Sequence, residues 1–260
     1  MTITAKFTSN IITQPFDKYF LNSSILPLKL LHAPFDQVIQ SLRCDQAFDV
    51  LIIHLTPEYF RISDHSNDTS LYLFNELSAS LRSFLGSNSI PVVINNIYPP
   101  LHHFSGDLFV ANVELVALIN HHIYQLSNEN LDINVLDLSG LLSFYGHKDS
   151  LRYDNFDIFR MPYTKSFLSH LSNEYIRVIN SKFLPRKKLI VLDADNTLWG
   201  GVLGEDGISS LKIGDEYPGS VYLRFQRCLK ELSRTGILLA LVSKNNMPDI
   251  VEAFNSIDMP

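Results

Sequence analysis

Short runs of apolar residues alternate with longer stretches of helical spacing through the first part of the chain. Three such runs, near residues 49–55, 91–97 and 132–138, are rich in Val and Ile and almost wholly apolar. Strands that are buried on both faces have this pattern, because neither face meets water. Residues 69–85 and 107–126 carry apolar positions at helical spacing, and Asp107 stands where an N-cap is expected. The rhythm predicts an α/β domain with the three strands adjacent in one parallel sheet.

The first domain is expected to span residues 1–165, with residues 26–33 as its first strand. A connecting helix over 162–184 and a basic turn lead out of it, so that 166–187 joins two domains. A second α/β pattern fills 188–260. Its predicted elements are a strand at 189–192, a loop to about 218, a helix at 219–235, a strand at 237–242 and a helix at 248–254.

Composition narrows the class of protein. The 260 residues are 46% hydrophobic and 18% charged, which is typical of globular proteins, and the formal net charge of −6 argues against a nucleic acid or an anionic membrane as partner. We expect a cytoplasmic protein, since no signal-peptide pattern and no apolar run of ~20 residues is present. Cys44 and Cys228 are far apart and fit no metal spacing, so we expect reduced thiols.

Two aspartates follow the strand predicted at 189–192. Asp193 and Asp195 are at i and i+2, and the carboxyl ends of parallel strands are where catalytic groups and ligands collect. Clustered carboxylates repel unless a cation compensates, and magnesium prefers such oxygen ligands. One carboxylate could then attack a phosphorus atom while the other moves a proton. Solvated loop carboxylates are the alternative interpretation, and Thr197 is expected to fix the turn.

The end of the next strand strengthens the catalytic interpretation. Ser243 follows the strand predicted at 237–242, where a hydroxyl and backbone N–H groups can hold phosphate oxygens. Lys244 is a candidate phosphate ligand, although a solvated surface role is the favoured interpretation for it.

These residues resemble a known superfamily. The string DADNT at 193–197, followed by Ser243 at the end of the next strand, is similar to the first two motifs of haloacid dehalogenase (HAD) phosphotransferases. The longer string DADNTLWGGVLGEDG resembles the FkbH-like branch, whose pattern reads DLDNTLWGGVIGEDG, with Ala194 and Leu203 as the differences. Upstream, the KFTSN, FDVLIIHL and MPYTKSFLSHLSNEYI segments resemble the SGNH-hydrolase-like domain that precedes the phosphotransferase domain in that branch.

The resemblance implies roles for individual residues. Asp193 would be the nucleophile, Asp195 the general acid/base, and both would bind magnesium, Asp195 through its main-chain carbonyl. Ser243 would bind the phosphoryl group, and Trp199–Gly207 would form a flap whose indole covers the substrate. Similar enzymes dephosphorylate 1,3-bisphosphoglycerate and load the glyceryl unit onto an acyl carrier protein in polyketide pathways. Cys228 lies within a predicted helix and is not assigned the thioester.

Departures from the family lower the expected activity. The HAD site also needs a lysine and a later acidic pair, yet the 17 residues after Ser243 hold only Asp249, Glu252 and Asp258 as acids, none of them on a further strand. We therefore expect that the chain stops inside the HAD domain. Three interpretations stay open: a fragment of a longer protein, the product of a split gene that a partner completes, or a domain that never turns over a substrate. The 260-residue chain is expected to be inactive or nearly so.

The first domain is expected to lack esterase activity. Gly106 and Asp107 are followed by Leu108 rather than serine, and no histidine has an aspartate three residues before it. His54 is expected to be a satisfied core residue, and the pairs at 102–103 and 121–122 are not expected to bind metal. The rival function is a catalytically silent docking module for a carrier protein or partner enzyme. The basic residues 186–188 are its candidate contact, and a solvated turn is an equally open interpretation.

Overall fold

The computed structural model of the chain describes residues 2–43, 47–62, 67–100 and 106–256. It divides into two compact units, Met1–Leu184 and Pro185–Pro260, hereafter unit 1 and unit 2. Cys44, the histidines at 102–103 and Asp258 lie outside the described residues.

The elements of each unit alternate between strands and helices. In unit 1 they are β1 (Ile3–Ser9), α1 (Asp17–Ser23), β2 (Leu28–His32), α2 (Val38–Leu42), β3 (Val50–His54), α3 (Asn67–Ser87), β4 (Val92–Asn95), α4 (Asp107–Glu129), β5 (Ile133–Leu136), α5 (Leu138–Tyr145), α6 (His147–Ser150), α7 (Tyr153–Phe159) and α8 (Lys165–Phe183). In unit 2 they are β6 (Leu189–Leu192), α9 (Leu203–Asp206), α10 (Gly219–Arg234), β7 (Leu238–Leu241) and α11 (Met247–Ser256). Single 3₁₀ turns lie at Gln14–Phe16, Pro57–Phe60 and Ile208–Ser210.

The sheet of unit 1 has five parallel strands in the order β2-β1-β3-β4-β5. The three strands predicted from their apolar runs are β3, β4 and β5, and they are adjacent and parallel, which confirms the α/β prediction. The chain leaves β1 toward β2 on one side and then returns to place β3 on the other. The boundary between β1 and β3 is therefore the point at which the direction of strand addition reverses.

Apolar cores cover both faces of this sheet. Ile52 of β3 packs into a cluster with α1 and α8, whereas its neighbour Ile53 packs into a second cluster with α3 and α4. Successive side chains of a strand point to opposite faces, so a strand covered on both sides needs apolar residues at every position. This accounts for the uninterrupted apolar runs in the sequence.

The strand predicted at residues 26–33 is confirmed, but it is the second strand of the chain and not the first. Residues 28–32 form β2 at the edge of the sheet, and the missed strand Ile3–Ser9 lies inside it. The polar residues Thr4, Lys6 and Thr8 interrupt the apolar run that would indicate a buried strand. Lys6 is nevertheless only 2% exposed, because its ammonium donates to the carbonyl of Ser41 at 2.8 Å and lies 5.1 Å from the ring centre of Phe48.

Two helix expectations also change. The N-cap of α4 is Gly106, with φ +91° and no side-chain capping bond, whereas Asp107 is the first helical residue. The helix predicted as a connector is α8, which begins after Thr164, whose hydroxyl accepts the N–H of Phe167 at 3.3 Å. Its buried face belongs to the core of unit 1, as with Tyr175 at 0% exposure. Unit 1 therefore extends to Leu184 rather than to residue 165.

Unit 2 contains a two-stranded parallel sheet, in which Leu189 pairs with Leu238 and Leu192 with Leu241. A small core lies against it. Its buried members are Ala194, Leu198, Trp199, Leu203, Leu229, Ile250 and Ala253. Several strand side chains are instead exposed, among them Val191 at 56% and Leu238 at 68%.

Candidate active site at the carboxyl edge of unit 2

The carboxyl ends of β6 and β7 bring the predicted acidic and hydroxyl groups to one edge. Asp195 follows β6 and Ser243 follows β7, and the strands are parallel and paired to their last residues. Asn245 connects the two. Its side-chain Nδ2 donates to Asp195 Oδ2 at 2.8 Å and to Ser243 Oγ at 3.1 Å. Sequence reasoning gave Asn245 no role, although it stands two residues after Ser243.

The loop after β6 is held by its own polar groups. The N–H of Leu198 donates to the carbonyl of Ala194 at 2.8 Å, and Asn196 adopts a left-handed conformation, φ +53°, while its Oδ1 accepts the N–H of Gly201 at 3.0 Å. Asparagine tolerates this backbone better than most residues. At Gly200 an added Cβ would lie 2.9 Å from the ring of Tyr222, so the close approach requires glycine there.

Asp195 is the best-held carboxylate of this edge. Its Oδ1 accepts the indole N–H of Trp199 and the backbone N–H of Leu203, both at 3.1 Å, and its Oδ2 accepts from Asn245. Burial by itself would raise the pKa of Asp195, but the bonds from Leu203, Asn245 and Trp199 stabilise the charged form and hold the pKa below its usual value. Asp195 is therefore ionised at neutral pH and ready to accept a proton.

Asp193 is exposed, and it is the freer of the two carboxylates. Its Oδ1 accepts the N–H of Ala194 at 2.8 Å, while its Oδ2 makes no hydrogen bond to the described residues. One oxygen of Asp193 is thus available to a substrate or a cation at the strand end.

Trp199 does not cover the site as expected. Its side chain has 0% exposure, lies in the core of unit 2 and makes an edge-to-face contact with Phe254 at 5.9 Å between ring centres. The indole suits a core position because its single N–H is satisfied by Asp195. Trp199 therefore orients the carboxylate from beneath, and its buried side chain does not line the surface of the site.

The remaining predicted site residues have less defined surroundings. Thr197 is half-buried, and its hydroxyl has no hydrogen bond to the residues that the structure describes. Its backbone N–H donates to Ala194 O at 3.2 Å. Lys244 is exposed, as are residues 186–188 and Cys228 on α10. The substrate-binding roles of Thr197 and Lys244 stay predictions.

The oxygen atoms at this edge are of the type that binds magnesium. Within the described ranges no cluster of three or more His, Cys, Asp or Glu side chains is suited to a metal ion. Magnesium, however, is commonly bound by one or two protein carboxylates, with waters and substrate phosphate oxygens completing six ligands. The carboxylate of Asp193 supplies such a donor, and the carbonyl of Asp195 is the second predicted one.

A different polar network lies at the corresponding edge of unit 1. Ser9 Oγ donates to the carbonyl of His54 at 2.5 Å, and the imidazole of His54 lies between the hydroxyls of Tyr175 and Tyr163 at 2.7 and 2.8 Å. Both ring nitrogens are thus satisfied, which confirms His54 as a core histidine. Ser9 is 2% exposed and its hydroxyl is not directed at a ring nitrogen, so the pair does not form a nucleophile and base.

Comparison with solved structures supports the architecture. The chain is similar to the N-terminal part of the protein BF1531 from Bacteroides fragilis, described as containing a phosphatase domain complexed with Mg. The TM-score is 0.81 at 21% identity, over 98% of this chain and 72% of that one. At this identity the likeness establishes a shared α/β fold. No protein-family model and no curated protein matches the chain.

A looser match is the acetylxylan esterase Axe2 from Geobacillus stearothermophilus. It has a TM-score of 0.48 and 12% identity, over 68% of this chain and 94% of that one. Among the described residues, no helix combines the length and apolar character needed to cross a membrane.

Proposed function

We propose that unit 2 carries a magnesium-dependent phosphatase site of the HAD type. The observation that carries the proposal is the hydrogen-bonded link from Asp195 through Asn245 to Ser243, which joins the ends of two parallel strands beside the free carboxylate oxygen of Asp193. The shared fold with a protein whose solved part contains a phosphatase domain adds support.

The free oxygen of Asp193 is the nucleophile in this proposal. It attacks the substrate phosphorus, so that a bond from phosphorus to Asp193 forms while the bond to the leaving oxygen breaks. Water then attacks the phosphorylated Asp193, its proton passes to the ionised Asp195, and inorganic phosphate leaves. Magnesium, when bound, would neutralise phosphoryl charge through Asp193 and the carbonyl of Asp195.

The resemblance to the FkbH-like pattern suggests the class of substrate. A phosphate ester of an alcohol needs a proton donor for its leaving oxygen, whereas an acyl phosphate releases a stable carboxylate and needs none. By the resemblance, Asp195 would give a proton to the leaving oxygen of an ester and take one from water in the second step. We infer a substrate resembling 1,3-bisphosphoglycerate, which carries one phosphate of each kind.

The test of the phosphatase proposal compares acetyl phosphate with p-nitrophenyl phosphate, with and without magnesium. Asp193→Asn should lower turnover by about 10³-fold, since it removes the nucleophile. Asp215→Asn is the matched control, because it makes the same charge change at an exposed position of unit 2. Both the 260-residue chain and the longest chain that the gene encodes are assayed. Magnesium-dependent turnover that survives in Asp193→Asn contradicts the proposed nucleophile.

Transfer of the glyceryl unit to an acyl carrier protein is the finer proposal. A carrier thiolate would attack the acyl carbon of the acyl phosphate, so that a C–S bond forms, the C–O bond to phosphate breaks, and phosphate leaves. The remaining phosphate ester would be hydrolysed at Asp193, which leaves a glyceryl group on the carrier. The exposed basic residues 186–188 would contact an acidic carrier. Mass spectrometry of the carrier after incubation should show one added glyceryl group. If the carrier binds but neither loading nor phosphate release occurs in either chain, the silent docking module is the function instead.

A further inference from the structure

A cavity lies within unit 1, at the boundary where the strand order reverses. Its volume is about 550 Å³. Asn10, directly after β1, and Glu58 and Tyr59, in the 3₁₀ turn that follows β3, contribute to its wall. In open parallel sheets, ligands bind at the carboxyl ends of the strands at this reversal. The volume is within the range of cavities that hold small molecules.

Strained backbone is concentrated around this cavity. The described residues include four non-glycine positions with positive φ, and three of them line it, namely Asp36 at +58°, Arg61 at +51° and Arg160 at +51°. Left-handed backbone is unfavourable for residues with a Cβ, and such strain gathers at functional sites. Glycine usually occupies such positions at helix ends, yet two arginines occupy them here.

Backbone hydrogen bonds hold these residues at the strand ends. The N–H of Asp36 donates to the carbonyl of Ser9 at 3.1 Å, and the carbonyl of Arg160 accepts the N–H of Ile12 at 2.9 Å. Both partners belong to the segment at the end of β1. The N–H of Arg61 donates to the carbonyl of Glu58 at 3.2 Å. Three segments distant in sequence are therefore fixed around one cavity.

Several polar groups of the cavity wall have no ion pair or hydrogen bond with other described residues, whereas the side chain of Asn10 is bonded to Thr56. None of Arg43, Arg61 and Arg160 forms an ion pair with another described residue, although the guanidinium of Arg160 lies 5.5 Å from the ring centre of Phe156. Glu58 Oε2 is buried and accepts no hydrogen bond from the described residues. Buried polar atoms are normally paired, and this carboxylate oxygen has the capacity to accept a further hydrogen bond.

The phenol of Tyr59 is a further hydrogen-bond donor in the wall. Burial, with Asp36 and Glu76 nearby, raises the pKa of Tyr59 above its usual value, so that it remains a phenol. Burial likewise raises the pKa of Asp36, against the opposing charge of Arg61. The wall thus presents guanidinium and phenol donors next to carboxylate acceptors and aromatic rings.

We propose that this cavity binds a small hydroxylated oxyanion, such as a sugar phosphate or a sugar acid. The guanidinium groups of Arg61 and Arg160 would bind the oxyanion, because their planar donors match phosphate and carboxylate oxygens. Glu58 would accept a hydrogen bond from a hydroxyl, and the ring of Phe156 would contact the carbon face. This site lies wholly in unit 1 and does not depend on the phosphatase proposal.

Isothermal titration calorimetry on the full chain tests the proposal, with D-glucose 6-phosphate, D-gluconate and D-glucose as probes. A phosphorylated or carboxylated probe should bind at least about tenfold more tightly than neutral glucose, since a charge-assisted bond is the main difference. The two charged probes separate phosphate from carboxylate as the preferred group, and either result supports the site.

Arg61→Gly and Arg160→Gly remove a guanidinium while suiting the left-handed backbone. Each should weaken binding of the preferred probe by about tenfold or more, with the unfolding temperature changed by no more than about 2 °C. Arg177→Ala is the control, because that arginine is exposed on α8, away from the cavity wall. Ser243→Ala should leave the binding in place, since it alters only the edge of unit 2.

Two results would overturn the proposal. One is the absence of saturable binding of both charged probes at concentrations up to about 10 mM. The other is binding that disappears in Ser243→Ala and persists in Arg61→Gly and Arg160→Gly, which would place the probe in unit 2 instead.

Discussion

The buried imidazole of His54 makes the stability of unit 1 depend on pH in a calculable way. His54 has 0% exposure, and burial lowers its pKa from 6.5 to about 3. The folded protein therefore keeps a neutral ring at pH 5, whereas the unfolded chain binds one more proton there. Because the folded pKa lies below the unfolded one, this group favours folding least at low pH. Stability is highest above pH 6.5 and falls as the pH is lowered toward 3.

The size of the effect follows from proton linkage. Integration of the difference in bound protons between about pH 8 and pH 5, with pKa values of 6.5 and about 3, gives a loss of about 2 kcal/mol in the free energy of unfolding. Other groups titrate over the same interval, so the quantity to compare is the difference between the wild type and His54→Gln. His54→Gln is expected to be less stable than the wild type. Between about pH 8 and pH 5, however, its free energy of unfolding should fall by about 2 kcal/mol less than that of the wild type.

Urea denaturation at about pH 8, 7, 6 and 5 measures this difference. Far-ultraviolet circular dichroism follows the whole chain, while the fluorescence of Trp199, the single tryptophan, follows unit 2 alone and separates its transition. His121→Gln removes an exposed histidine of unit 1 and controls for the substitution itself. Equal pH dependence in the wild type and His54→Gln, within about 0.5 kcal/mol, would refute the reasoning, as would an NMR titration that places the pKa of His54 near 6.5.

Two further substitutions probe the other parts of the molecule. Asn245→Ala removes the donor shared by Asp195 and Ser243, so phosphatase turnover should fall by about tenfold or more in a chain whose circular dichroism is unchanged. Phe7→Ala removes a ring with 0% exposure from the aromatic centre of unit 1 and should lower the free energy of unfolding by about 3–5 kcal/mol, as measured by urea denaturation; a loss below about 1 kcal/mol would show that the centre repacks.

Local patterns in the sequence were sufficient for the parallel α/β architecture and for part of the candidate site. The strands at 50–54 and 189–192 were located because burial on both faces or a short apolar run leaves a signal in neighbouring residues. The placement of Asp193 and Ser243 at one edge followed from the same reasoning, since parallel strands end on the same side of a sheet.

The residues that were predicted wrongly from local patterns are those whose surroundings depend on partners distant in the chain. The strand at residues 3–9 was missed because the burial of Lys6 depends on a carbonyl at Ser41. Trp199 was expected above a substrate, and only the packing of unit 2 turns its indole inward to Asp195. The type of a polar or aromatic residue does not show whether it is buried, because its burial depends on whether a partner satisfies its hydrogen bonds.

The sequence by itself therefore determined the alternation of strands and helices, the parallel arrangement of β3, β4 and β5, and the strand ends that carry Asp193 and Ser243. Only the tertiary structure decided how polar groups are paired, as when His54 meets Tyr175 from 121 positions away. It also assembled the cavity of unit 1, whose left-handed residues Asp36, Arg61 and Arg160 come from separate segments. The physical reason is that hydrophobic periodicity is a property of neighbours along the chain, whereas hydrogen bonding and charge compensation are properties of neighbours in space.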